Sequence, residues 1–92
     1  VNTIHEVSIG QIVKSKAGRD QDRLFIVIDI IDDQYVLVSD GDLRKIDKAK
    51  KKKMKHLAKY NIISEEVKSR IEKGEKITNL LLRRELEKLG LR

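Results

Sequence analysis

The hydrophobic pattern changes character near the middle of the chain. Before residue 60 the apolar positions fall in short β-branched runs. Gln11–Ser15 alternates weakly, and Leu24–Ile31 is apolar throughout except for Asp29. A run with so little polar alternation predicts a central strand, strongly bent and covered on both faces. Asp32-Asp33-Gln34 interrupts it, and Tyr35–Val38 resumes it. Asp40-Gly41 predicts a tight hairpin, because both residue types tolerate positive φ. Leu43–Ile46 is then the expected returning strand, and Met54–Leu57 one more short strand. Closely spaced strands with no helix between them predict a small antiparallel barrel, whose closure would leave no open edge.

After residue 60 the spacing becomes helical. Ser64 is placed to cap a first helix, with Glu65 and Glu66 in its first turn and Val67 and Ile71 on one face. Gly74 predicts its end. Thr78 predicts the cap of a second helix, with Ile77 and Leu82 as a hydrophobic staple and Leu82, Leu86 and Leu89 as the apolar stripe. Gly90 is the expected stop, with Leu91 folding back. Both helices are amphipathic and need a partner, and the strands are the one available within the chain.

The expected fold class is therefore mainly β with α: a small barrel followed by two short C-terminal helices. The expected division is an N-terminal tail over 1–7, the barrel over 8–60 with a basic segment at 44–59, and a two-helix extension over 61–92. Ninety-two residues support one modest core and no deep substrate pocket.

Charge sharpens this picture. The net charge of +6 is unevenly spread: residues 1–43 carry −4, residues 44–59 carry +8, and residues 60–92 carry +2. Six lysines fall within the eight residues 48–55. Such crowding calls for a counter-charge, and a polyanion supplies it. The alternative for any charge run is a solvated loop that aids solubility.

The stretch from Ser8 to Asp29, with Gly10, Gly18, Arg19 and Arg23 in it, resembles the KOW motif. The continuation Val36–Lys45, a lysine run and then His56-Leu57 is similar to the KOW protein of archaeal and eukaryotic large ribosomal subunits and to short bacterial KOW-domain RNA-binding proteins. The resemblance implies an SH3-like barrel and RNA, ribosomal RNA first of all, as partner; no catalytic arrangement of residues is visible, so a non-catalytic protein is expected. In one place the chain departs from the motif. The family pattern usually carries glycine where this chain has Asp22, which sets a negative charge in a loop expected to face phosphate.

The expected RNA-binding residues are Lys16, Arg19, Arg23, Arg44, Lys45, Lys48, Lys50, Lys51, Lys52, Lys53, Lys55, His56 and Lys59. The lysines would supply attraction and phosphate contacts, and the arginines bidentate contacts that set orientation. Arg83 and Arg84 would widen the basic face. The only aromatic residues are Phe25, Tyr35 and Tyr60, expected to serve mainly in packing, so recognition of folded RNA by phosphate and shape is favoured over a stacking platform. A protein-interaction module of SH3-like fold and a transcription-elongation type of KOW module are the rival readings.

Other classes find little support. No cysteine is present, which removes disulfides and thiolate metal sites. Histidines and acids lack metal-ligand spacing, and the aspartates suit turns. Neither a nucleophile elbow nor a phosphate loop is present, so no cofactor, metal or small-molecule substrate is expected. No run of about 20 apolar residues and no secretory leader is visible. A cytoplasmic protein, monomeric when free and without a membrane partner, is the expectation.

Overall fold

The computed structural model describes residues 7–88. Five strands, β1 (Gln11–Ser15), β2 (Leu24–Ile30), β3 (Tyr35–Ser39), β4 (Lys50–Lys53) and β5 (Leu57–Ile63), precede two helices, α1 (Glu65–Glu72) and α2 (Asn79–Lys88). The sheet is antiparallel throughout, in the order β4-β3-β2-β1-β5. β4 and β5 are thus the terminal strands of the order, linked in sequence by a 3-10 turn at Met54–His56.

The long apolar run does lie centrally, with β1 and β3 as its neighbours. Phe25, Ile26 and Val27 are consecutive and fully buried, which requires cover on both faces. One face packs Val13, Phe25, Val27, Val36, Val38 and Leu57 together, with Val7 and Met54 at its margin. The other packs Ile12 and Ile26 against Val67 of α1 and Leu81, Leu82 and Leu86 of α2. Truncating a fully buried leucine such as Leu82 to alanine typically costs about 2–5 kcal/mol. The helices therefore close one of the two cores. A register shift between Val27 and Asp29 marks where β2 bends.

Two expected strands and the hairpin between β3 and the returning strand change. Asp40-Gly41 does not make a two-residue hairpin, and Leu43–Ile46 is not a strand. The Asp40 carboxylate accepts hydrogen bonds from the Asp42 and Arg44 backbone N–H groups, both at 2.9 Å. Local side-chain bonding of this kind diverts the backbone from a sheet ladder. A 3-10 turn at Ile46–Lys48 follows, and the returning strand is instead the lysine run itself. Met54–His56 forms a turn, so the last strand begins at Leu57 and runs on to Ile63, beyond the expected boundary at 60.

The caps are as expected. Ser64 Oγ accepts from the Val67 N–H at 3.3 Å, and Thr78 Oγ1 from the Leu81 N–H at 3.1 Å. Ser64 Oγ also donates to Glu85 at 2.6 Å, which ties the start of α1 to α2. Gly74 adopts φ +73 just past α1. Val7, grouped with the tail in the sequence, packs on the strand core. The rest of that tail with His5, and the expected end of α2 at Leu89, Gly90 and Leu91, lie outside the described residues.

Candidate nucleic-acid interface

Strand geometry divides the lysine run. Successive residues of a strand point to opposite sides. In the β3–β4 register Lys50 and Lys52 pair with Val38 and Val36, whereas Lys51 and Lys53 pair with Leu37 and Tyr35. Val36 and Val38 are fully buried, so Lys52 is drawn inward with them and is 8% exposed. Its ammonium donates to Asp20 at 2.8 Å, to Ser15 Oγ at 3.1 Å and to the Ala17 carbonyl at 3.2 Å. Lys52 is a correction to the expected interface: all three of its donors are spent inside the protein.

Asp20 is the centre of that network. Burial alone would raise its carboxyl, but hydrogen bonds from Lys52 and Ser15 and the nearby Lys50 ammonium outweigh this and hold it down to about 2. Lys50 Nζ faces the second carboxylate oxygen at 3.3 Å, loose for a hydrogen bond but close enough to pair charge.

Lys51 and Lys53 lie on the opposite side, over the Tyr35 ring, with their ammonium groups 4.5 and 5.7 Å from its centroid. Tyr35 is half-buried there rather than capping a barrel. Tyr60 packs at the margin of the helix-covered core, and Phe25 is fully buried.

A second basic feature forms at the end of the sheet where β1 and β3 stop and β2 and β4 start. Arg19, Arg23, Arg44 and Lys50 line one cleft with Asp20, Phe25 and Leu43. Arg44 is thereby brought beside Arg19 and Arg23 of the β1–β2 loop. Arg23 makes a long contact to Asp40 at 3.4 Å, and its buried Nε has no hydrogen-bond acceptor among the described residues.

Loop 40–49 is held rigidly to present Arg44. Ser39 Oγ donates to the Arg44 carbonyl, and the Asp40 and Gly41 N–H groups donate to the same oxygen at 3.2 Å. Farther along, the Ile46 N–H donates to Asn79 Oδ1 at 2.7 Å, so the start of α2 grips the loop. Gly41 has φ +76, and a Cβ there would lie 2.3 Å from the Asn79 carbonyl oxygen. Only glycine fits a backbone packed so closely.

The remaining expected residues are dispersed. Lys45 precedes the 3-10 turn of that loop and Lys48 ends it, both exposed. Lys16 is exposed just past β1, and its N–H donates to the His56 carbonyl at 2.8 Å, so these two residues are neighbours. Lys55 shares a shallow recess with Asp33, Gln34, Lys53 and Met54. Lys59 lies on β5, at the opposite end of the strand order. Arg84 does not extend the cleft; it lines the groove between the helices beside Glu66, Glu85 and Glu87. Sequence reasoning missed Leu43 at the cleft lip, 65% exposed, and the roles of Asp40 and Asn79 in holding the loop. Asp40 carried a signal, since aspartate at a loop entrance bonds to the backbone beyond it.

Among the described residues no group of His, Cys, Asp or Glu could hold a metal ion, and no helix is long and apolar enough to cross a membrane.

Fold and site together define a small basic β/α protein with a cationic cleft at one end of its sheet. The chain is 34% identical over 71 residues to a protein of Bacillus subtilis (strain 168) named "Putative ribosome-binding protein YbzG", a match covering 77% of this chain and 96% of that one. The chain belongs to the family of that protein. No protein-family model matches it.

Proposed function

We propose that the protein is a non-catalytic RNA-binding protein that associates with the ribosome through structured, ribosomal RNA. The observation that carries this reading is the convergence of Arg19, Arg23, Arg44 and Lys50 on one cleft. Guanidinium groups match phosphate in a bidentate fork, and four cations on a rigid rim meet it with little ordering cost. Lys51 and Lys53 extend the positive field over the other side of β4, and Lys45, Lys48 and Lys55 lie exposed around it. The name of the Bacillus subtilis relative supports the ribosome as the setting. In this reading the sheet curls into a partly open SH3-like barrel of the KOW kind, with its seam between β4 and β5, and the protein acts in the cytoplasm as a monomer when free. The strand order and the 3-10 turn before β5 support the barrel.

Filter binding to ribosomal RNA at increasing salt tests the proposal. Affinity should fall steeply, since each phosphate contact adds about 0.7–0.9 to the logarithmic salt slope. Replacing Arg19 and Arg44 together by alanine should weaken binding and flatten that slope. Unaltered affinity and slope in that variant would refute the cleft as the contact.

A further inference from the structure

Building on the RNA-binding reading, we infer that the cleft takes a single unpaired nucleotide of the bound RNA, its phosphate on the guanidinium groups and its base against Leu43. A duplex backbone needs only a flat cationic surface. This site is concave, with a volume of about 290 Å³. That is at the small end of ligand pockets, which run from about 300 to 1,000 Å³, and suits one nucleotide better than a helix.

Its lining has two parts. Arg19, Arg23, Arg44 and Lys50 offer donors, while Phe25 and Leu43 are apolar. The buried Arg23 Nε lacks an acceptor among the described residues, and a buried donor left unpaired is unfavourable until a ligand supplies one. Asp20, the one carboxylate in the lining, has its charge paired by Lys52 and Lys50, although its Oδ2 accepts no hydrogen bond among the described residues. Among the described residues Leu43 is the most exposed of the large apolar side chains at 65%, on a loop pinned by Asp40 and Asn79. A rigid, exposed leucine beside phosphate donors offers a flat base an apolar contact that a paired base cannot reach, because it is stacked within the helix. An acidic peptide would satisfy the cations but leave Leu43 in water.

The test compares two hairpin RNAs that differ by one unpaired nucleotide in the stem. The protein should bind the bulged hairpin roughly fivefold or more tightly, the scale of one base contact. Leu43→Ser, at an exposed position, should abolish this preference and leave the salt slope unchanged. Adenosine monophosphate should shift the backbone resonances of residues 43 and 44. Equal binding to both hairpins with a steep salt slope would overturn the nucleotide site and leave the RNA-binding reading standing. Binding to neither hairpin nor ribosomal RNA would overturn both. Displacement of RNA by polyglutamate as effectively as by polyadenylate would assign the cleft to acidic peptides and overturn the inference.

Discussion

Lys52 Nζ lies 2.8 Å from the Asp20 carboxylate, joining the middle of the lysine run to the β1–β2 loop thirty-two residues earlier. Both side chains are about nine-tenths buried, so the pair is a structural tie. The Asp20 pKa is lowered from 3.8 to about 2, so its contribution is complete above about pH 4 and is lost as pH falls through about 2. A shift of that size corresponds to about 2 kcal/mol. Urea midpoints taken from about pH 5 down to about pH 2 should show this loss. In Lys52→Met the acid-dependent loss should shrink and stability at neutral pH should drop by about 2–4 kcal/mol, because Asp20 loses its main partner. An unchanged acid profile in that variant would mean that Ser15 and Lys50 suffice.

Neighbouring lysines of one run should behave differently when replaced. Lys51→Ala and Lys53→Ala remove cations that lie on the outer face of β4, so their stability should stay within about 0.5 kcal/mol of the parent. Each should lower the salt slope of RNA binding by up to about 0.9. Lys52→Ala should do the reverse, with a lower melting temperature and a nearly intact slope. Thermal unfolding and salt titration on the three variants separate the two behaviours.

The interface also depends on a residue that carries no charge. Asn79→Ala deletes the acceptor for the Ile46 N–H. The expected cost is about 1–2 kcal/mol, that of a partly buried backbone donor left unmade. RNA affinity should fall as well, though no cation is lost, because loop 40–49 would no longer be held. Hydrogen exchange at Ile46 reads the loop directly. Protection equal to that of the parent would show that Gly41 packing alone fixes it.

Asp22 has φ +72, the sole positive value at a non-glycine residue among those described. Asp22→Gly should relieve left-handed strain, offset in part by the greater freedom of glycine when unfolded, for a gain of up to about 1 kcal/mol. The variant should also bind RNA more tightly, having lost an acidic group beside Arg23. Weaker binding would indicate that the carboxylate helps to order the Gly18–Arg23 loop.

Elements defined by local chemistry were legible in the sequence. Ser64 and Thr78 marked their helix starts because capping involves a side chain and a backbone three residues away. β2 was legible because Phe25, Ile26 and Val27 suit a strand covered on both faces. The lysine run was not legible as a strand. Four identical residues carry no alternation, so only pairing with β3 reveals that Lys52 turns inward and Lys51 outward. The Asp20 partner is likewise invisible, since no pattern links residues so distant. The sequence singles out the arginines as a set, but their convergence at one cleft follows from strand order, which composition does not encode.

β4 is an edge strand built from Lys50, Lys51, Lys52 and Lys53. An open edge is a template on which another chain can extend the sheet, and lysines there discourage it. Two copies aligning along this edge would bring like charges together before any backbone bond could form. On the proposed function, attraction for polyanions and resistance to self-association would be properties of one segment. Stripping its charges to weaken RNA binding would also leave a bare strand flanked by apolar β3, so such variants should lose solubility together with affinity.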